Sequence, residues 1–125
     1  MDCLFCKIIN GDIPSTKIYE DEYVYAFKDI EPQAPFHAVI VPKIHVSSAD
    51  EISSENSMYI AKIFEAISKI SEEYNLSNGY RVVNNCGKDG GQTVGHIHFH
   101  LLARRNLAWP PGWFSKGVIL YERSI

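Results

Sequence analysis

Three of the five histidines in this chain stand at every second position of the stretch GHIHFHLL, residues 95–102. Imidazoles can attack as nucleophiles, transfer protons or bind metal ions. Alternate residues of a β-strand point to the same face, so this spacing predicts a strand with His96, His98 and His100 on one side. The apolar residues between them would then pack in the core. A helix would instead spread the three imidazoles around its circumference.

These histidines need at least two roles. On one strand face, successive imidazoles are ~6–7 Å apart at their bases and the outer two about 13 Å apart. One metal ion therefore cannot bind all three. The alternatives are a metal site, a catalytic site or both, against the plainer interpretation of a solvated polar face.

A glycine-rich loop, NNCGKDGGQTV, directly precedes the histidines. Such a loop can present backbone N–H groups and small polar side chains to an anion. Beside imidazoles it favours a phosphate site, since a neutral imidazole can attack phosphorus through one nitrogen while a hydrogen bond fixes the other.

The cysteines and the N-terminal sequence predict a reducing compartment. Cys3 and Cys6 form a C-x-x-C pair, typical of metal binding or of redox chemistry, and Cys86 stands alone. An odd number of cysteines argues against a disulfide framework. The short apolar run near the N-terminus contains a charge, unlike a secretory signal. We therefore predict a cytoplasmic protein in which Cys86 is a small, partly buried residue.

Composition limits the function classes. The chain has 125 residues, of which 46% are hydrophobic and 22% charged, which predicts one soluble domain over residues 1–125. A net charge of −3 argues against nucleic acid and anionic membranes as partners. No apolar run approaches the ~20 residues needed to span a bilayer.

Hydrophobic patterns predict an α+β fold, an antiparallel β-meander with one long helix and a short N-terminal helix. Apolar residues recur at helical spacing over roughly residues 54–75. CLFCKIIN predicts the short helix, and KIYEDEYVYAFKDI a hairpin. Further strands are predicted at HAVIVP, YRVVNNC and HIHFHLLARR, with a last short one at GVILYERSI.

The segment GGQTVGHIHFHLL resembles the His-x-His-x-His-apolar-apolar signature of the histidine-triad nucleotide-binding family, including its Gly-Gln-Ser/Thr-Val lead-in. The similarity extends through GDIP, YEDEYVYAFKDIEPQAPFHAVIVPKIH and WPPG, and so covers about residues 1–112. Residues 113–125 form a C-terminal extension. The segments PQAPFH and WPPG resemble the purine nucleoside phosphoramidase branch rather than the dinucleoside-polyphosphate hydrolases.

The resemblance implies a HIT-like fold, a homodimer and a hydrolase. It implies cleavage of the P–N bond of purine nucleoside 5′-phosphoramidates, or of adenylylated amines, through a covalent nucleotidyl-histidine. His98 would attack the α-phosphorus, and His100 would contact the α-phosphate and help to protonate the leaving amine. His37 would fix or share a proton with His98. The alternatives are a dinucleoside-polyphosphate hydrolase and a nucleotide-binding adaptor with incidental activity.

The same resemblance implies a site for purine nucleoside monophosphates. Asp29 would accept hydrogen bonds from the ribose hydroxyls, and it shares a strand face with Phe27, as a common pocket requires. Lys28 departs from the family, which often has a histidine there. Trp109 matches an aromatic residue implicated in leaving-group contacts across the dimer. Matches to the phosphate loop are Asn85, Gly91, Thr93 and Val94. Matches to the apolar base walls, for which plain core packing is the alternative, are Phe5, Ile13, Phe27 and Ile30.

Two histidines, His45 and His96, remain after these assignments. With Cys3 and Cys6 they would complete a tetrahedral structural Zn²⁺ site. Family members with this cysteine pair, mainly bacterial ones, resemble the related uridylyltransferases, where such a pair joins two histidines. Members without the pair keep the fold, so zinc is not needed for the chemistry. Two buried free thiols are the alternative.

Overall fold

In the computed structural model, which describes residues 3–111, five antiparallel strands form one sheet with a helix on each face. The predicted α+β class, with one long and one short helix, is confirmed. No helix in the described part of the chain is long and apolar enough to cross a membrane. The helices are α1 (Leu4–Ile9) and α2 (Ser57–Glu73), and the strands are β1 (Lys17–Glu20), β2 (Val24–Lys28), β3 (Phe36–Pro42), β4 (Tyr80–Asn84) and β5 (Phe99–Ala103).

The strand order is β1-β2-β3-β5-β4, so the first three strands form a meander and β5 lies between β3 and β4. Val39 of β3 faces His100 of β5, and Val83 of β4 faces the same histidine from the other side. This order places the histidine-bearing strand inside the sheet, where both of its edges are hydrogen-bonded.

Each face of the sheet has its own apolar core. On one face α2 buries Ile63, Ile67 and Ile70 against the sheet. On the other, α1 packs Phe5 and Ile8 against side chains of β2 and β3. Because both faces are covered, all seven residues of β3 are buried, although its side chains alternate between the two cores.

The long helix matches its predicted position, with ends drawn in to Ser57 and Glu73. Before it, the side chain of Asn56 accepts a hydrogen bond from the main-chain nitrogen of Ser53 at 2.8 Å and closes a turn there. After it, Asn75 adopts a φ of 56°, a left-handed conformation that ends the helix.

The prediction of one long strand over HIHFHLLARR is wrong at both ends. The strand begins only at Phe99, because the amide of Ile97 donates to the main-chain oxygen of Val46 rather than to β3. It ends before Arg104, whose φ is 72°. The side chains nevertheless keep alternating between the two faces of the sheet through the segment before β5, since Ile97 and Phe99 both lie in the α2-side core.

The strand predicted at GVILYERSI, residues 117–125, lies outside the described residues, as does the rest of the predicted C-terminal extension.

Candidate active site and metal cluster

A cleft of about 360 Å³ opens between α1 and the sheet, on the histidine face. Its walls are mostly apolar, and the titratable side chains among them are Lys28, Asp29, Glu31, His98 and His100. Predicted site residues that line it are Phe5, Ile13, Phe27, Asp29, Ile30, Thr93, Val94, His98 and His100. Residues that line it but were not predicted for the site are Leu4, Ile8, Pro14, Ser15, Lys28, Glu31 and Val39. Leu4 and Ile8 stand one helical turn apart, and Val39 alternates with His37, so both patterns were visible in the sequence.

Four of the residues predicted for catalysis or nucleotide binding lie outside the lining of this cleft. His37 sits behind it, within hydrogen-bonding distance of His100. Asn85 follows β4 and is half-buried. Gly91 adopts a φ of 77° in the glycine-rich loop. Trp109 is 80% exposed.

The tautomer of His98 follows from one main-chain contact. Its Nδ1 lies 2.8 Å from the main-chain oxygen of His96. A carbonyl oxygen only accepts, so Nδ1 carries the proton and Nε2 keeps a free lone pair. Burial lowers the pKa of His98, which keeps the imidazole neutral. The ring of Phe5 packs edge-on against it at a centroid distance of 5.0 Å. His98 is therefore held as a neutral imidazole with one unshared nitrogen.

A chain of hydrogen bonds fixes the next two imidazoles. The main-chain N–H of Gln33 donates to His37 Nδ1 at 3.0 Å. Neutral His37 therefore carries its proton on Nε2, which lies 2.8 Å from His100 Nδ1. His100 accepts there, so its own proton is on Nε2. The hydrogen bond shown for His37 thus goes to His100, whereas the sequence had paired it with His98.

Burial favours the neutral form of both rings. It lowers the pKa of His37, against the opposing charge of Asp29. It lowers the pKa of His100 to about 4, assisted by charge on His98 and His37 and opposed by Asp29.

Asp29 lies against these two imidazoles as well as lining the cleft. One carboxylate oxygen accepts from the amide of Glu31 at 2.8 Å. The other lies 3.4 Å from His37 Nε2 and 3.8 Å from His100 Nδ1. The carboxylate can therefore accept from a ligand hydroxyl and favour a proton on the histidine pair.

Donor atoms of Asp29, His37 and His100 all lie within 4.8 Å of one another, close enough for a metal ion. Their proton positions do not suit one. Because the Gln33 amide occupies His37 Nδ1, the nitrogen that faces the other donors carries a proton and has no lone pair to offer. This group is a hydrogen-bonded set of proton carriers.

In a second group of possible metal ligands, a buried histidine turns an unprotonated nitrogen towards the other donor atoms. His96 Nε2 lies 3.0 Å from the main-chain oxygen of Pro42 and donates to it. Its Nδ1 is therefore unprotonated, and it lies 3.4 Å from Cys3 Sγ and 3.6 Å from Cys6 Sγ. Burial lowers the pKa of His96 and keeps the ring in its neutral, ligating form.

His45 completes this group, with Nδ1 3.5 Å from Cys6 Sγ. We call Cys3, Cys6, His45 and His96 the Cys₂His₂ cluster; their four donor atoms lie within 4.8 Å of one another. Zn–S and Zn–N bonds of about 2.3 and 2.0–2.1 Å in a tetrahedron separate nitrogen from sulfur by about 3.5 Å. The observed nitrogen–sulfur distances match, so the residues fit a zinc ion, and the fold brings together the four residues that the sequence had grouped.

The glycine-rich loop is fastened by Gln92. Its side-chain oxygen accepts from the amide of Gly87 at 3.0 Å, and its side-chain nitrogen donates to the main-chain oxygens of Ser47 and Val94 at 2.7 and 2.9 Å. A side chain at Gly90 would overlap the main chain of Cys86. Sequence reasoning had singled out Gly91 and missed Gly90, whose close approach becomes visible only in the folded loop.

Comparison with known proteins identifies relatives over nearly the whole chain. The family model described as HIT domain matches residues 10–107. The purine nucleoside phosphoramidase of Escherichia coli K12 is 40% identical over 107 residues, covering 85% of this chain and 90% of that protein. A 14 kDa zinc-binding protein of Zea mays is 46% identical over 114 residues, covering 87% of each.

Among solved structures, a histidine triad protein from Clostridium difficile has a TM-score of 0.84 and 50% sequence identity. The alignment covers 86% of this chain and 95% of that one. These similarities agree with the fold and with the sequence motifs around the three histidines.

Proposed function

The chain belongs to the HIT domain family, and we propose that it is a hydrolase that cleaves the P–N bond of purine nucleoside 5′-phosphoramidates or adenylylated amines. The observation that carries this proposal is the hydrogen bond from His98 Nδ1 to the main-chain oxygen of His96, which leaves Nε2 as an unshared nucleophile at the cleft. The phosphoramidase activity named for the Escherichia coli relative supports the choice of substrate.

The cleft suits one nucleotide. Its volume of about 360 Å³ is within the range of small-molecule sites, about 300–1,000 Å³. In the proposed pose the purine packs against the apolar wall that Phe5 and Phe27 form together, with their rings in edge-to-face contact at 5.6 Å between centroids. Asp29 accepts from the ribose hydroxyls. The remaining proposed apolar contacts are Ile13 and Ile30, of which Ile30 stands at the rim, 93% exposed.

The α-phosphate is placed beside His98 and His100. Thr93 and Val94 also line the cleft. They are proposed phosphate contacts, together with Asn85 and Gly91 of the preceding segment. The Nε2 proton of His100 can donate to a phosphate oxygen. Trp109 is proposed to contact the leaving group.

In the first step the lone pair of His98 Nε2 forms a bond to the α-phosphorus, and the P–N bond to the amine breaks with its electrons going to the amine nitrogen. The bound phosphate and Asp29 favour a proton on the His37–His100 pair, and the amine takes that proton as it leaves. In the second step water attacks the phosphorus and returns a proton to the pair. The bond to His98 then breaks, restoring Nε2 and releasing the nucleoside monophosphate.

A zinc ion is proposed as a structural component held by the Cys₂His₂ cluster. The zinc-binding name of the Zea mays relative supports it, as do the nitrogen–sulfur distances. Zinc would cross-link the start of α1 to His45 and His96. Because no donor of the cluster lines the cleft, the ion takes no part in the bond changes described above.

A homodimer is also proposed. In the described sheet β4 is an edge strand, and the outward-facing Tyr80 and Phe64 are 43% and 49% exposed. An edge strand with apolar neighbours is suited to pairing with a second copy. Analytical ultracentrifugation of the full chain measures its oligomeric state.

His98→Ala tests the enzymatic proposal. We expect the variant to lose turnover of an adenosine 5′-phosphoramidate by at least about a thousandfold while still binding AMP. Full turnover by the variant would contradict the assignment. Dinucleoside polyphosphates measured beside the phosphoramidate distinguish the hydrolase classes. A wild-type chain that binds AMP but turns over neither substrate would favour a nucleotide-binding adaptor.

A further inference from the structure

Helix α1 contributes both to the wall of the nucleotide cleft and to the Cys₂His₂ cluster. Leu4, Phe5 and Ile8 line the cleft, and Cys3 and Cys6 flank Phe5 along the chain. The helix has six residues, far fewer than the ~12–15 that an isolated helix needs to be marginally stable. The position of α1 therefore depends on its contacts with the rest of the fold.

The ring of Phe5 contacts both sites. Its centroid lies 6.0 Å from that of His96 and 5.0 Å from that of His98. The ring also packs against Phe27 of the cleft wall, at 5.6 Å between centroids. A displacement of α1 would thus change the base wall and the packing of the nucleophile together.

His96 connects the two sites through its main chain. Its ring is fully buried between Pro42 and the cysteines, and its carbonyl oxygen holds the Nδ1 proton of His98. Whatever fixes the ring of His96 therefore also fixes the group that orients His98.

Helix α1 packs on one face of the sheet only. The α2-side core contains no residue of α1. Helix α1 packs against the other face of the sheet through Phe5 and Ile8. A metal ion bound by the cluster would join Cys3 to His96, 93 positions away in the sequence, and Cys6 to His45, 39 positions away. Losing such cross-links releases conformational freedom mainly in the N-terminal segment.

We propose that metal binding by the Cys₂His₂ cluster raises the affinity of the cleft for purine nucleotides, with Phe5 and His96 as the residues that couple the two sites. This inference rests on the proposed nucleotide site. Since coupling between two binding sites is reciprocal, a bound nucleotide raises the affinity for the metal by the same factor.

The first test compares AMP binding to the zinc-loaded full chain and to the chelator-treated chain by calorimetry. We expect the dissociation constant for AMP to rise about tenfold on metal removal, within the usual range of coupling energies. His45→Gln removes one ligand of the cluster and should reproduce this weakening. Because the side chain of His45 is exposed and does not line the cleft, the substitution changes no direct contact with AMP. Equal AMP affinities of the loaded and metal-free forms would overturn the coupling. A loaded chain that binds no AMP would instead contradict the proposed function.

The second test measures zinc affinity by chelator competition with and without AMP, in wild type and in Phe5→Leu. In wild type, AMP should raise zinc affinity about tenfold. In Phe5→Leu the factor should fall towards one while zinc stoichiometry is kept. This second test distinguishes the two kinds of coupling even if the metal-free chain unfolds. Coupling that arises only from global folding would persist in Phe5→Leu, whereas coupling through the Phe5 ring would be lost. An undiminished factor in Phe5→Leu would exclude the proposed route.

Discussion

His96 Nε2 lies 3.0 Å from the main-chain oxygen of Pro42, and this hydrogen bond decides which ring nitrogen faces the cysteines. At His37 the partner is the main-chain nitrogen of Gln33, also at 3.0 Å, which donates instead of accepting. One backbone acceptor thus exposes a lone pair to two sulfurs, and one backbone donor forces a proton to point at His100. The opposite roles of the two histidine clusters follow from these contacts.

The Cys₂His₂ cluster predicts a zinc content of about one ion per chain. Elemental analysis of protein purified without added metal measures it. Cys6→Ser should lower the zinc content several-fold, because a neutral hydroxyl replaces a thiolate ligand. Cys86→Ser is the matched control and should keep full occupancy, since Cys86 lies outside the cluster. Equal zinc in both variants would contradict the assignment.

Asp29→Asn should abolish discrimination between ribose and dideoxyribose. In wild type we expect 2′,3′-dideoxy-AMP to bind about tenfold more weakly than AMP, because hydrogen bonds to a charged acceptor contribute about 1.5–3 kcal/mol. In Asp29→Asn the two dissociation constants should become similar, as measured by calorimetry. Glu31→Gln, an exposed neighbour at the rim, is expected to keep the difference. Unchanged discrimination in Asp29→Asn would place the ribose elsewhere.

Gly90→Ala should destabilise the chain by about 1–3 kcal/mol, because the added methyl group would overlap the main chain of Cys86 and the loop must shift. Urea denaturation measures the change in the free energy of unfolding. Gly95→Ala is the control, since a methyl group there meets no atom within 4 Å. Similar stabilities of the two variants would show that the loop yields without strain.

Acidification should destabilise the protein through its buried histidines. The pKa of His100 is lowered to about 4, against about 6.5 in an unfolded chain. Between these values the unfolded state binds more protons, so the free energy of unfolding falls as the pH drops from about 6.5 to about 4, by up to about 1.4 kcal/mol per pH unit for one proton. Urea denaturation at several pH values should show a flatter dependence for His100→Gln. A slope identical to wild type would exclude His100 as its source.

Much of the site was already visible in the chain. The two-residue spacing predicts that His96, His98 and His100 share a side, and Ile97 and Phe99 do occupy the opposite core. The start of β5 could not be predicted from the sequence. It depends on a hydrogen bond from the amide of Ile97 to the main-chain oxygen of Val46, two residues far apart in the sequence. The same holds for Gly90, whose clash is with a main-chain segment brought close only by the folded loop.

The sequence by itself determined which residue types meet: it specified the α+β class, the histidine face, the glycine-rich loop beside it and the Cys-x-x-Cys pair with two spare histidines. Periodicity and turn chemistry are local, so they can be recognised without coordinates. Only the tertiary structure decided what each imidazole can do. Ring nitrogens are assigned by the partners that reach them, and at His96 and His37 those partners are backbone atoms of Pro42 and Gln33. Pairing His37 with His100 likewise required the β3–β5 register, which no local pattern encodes.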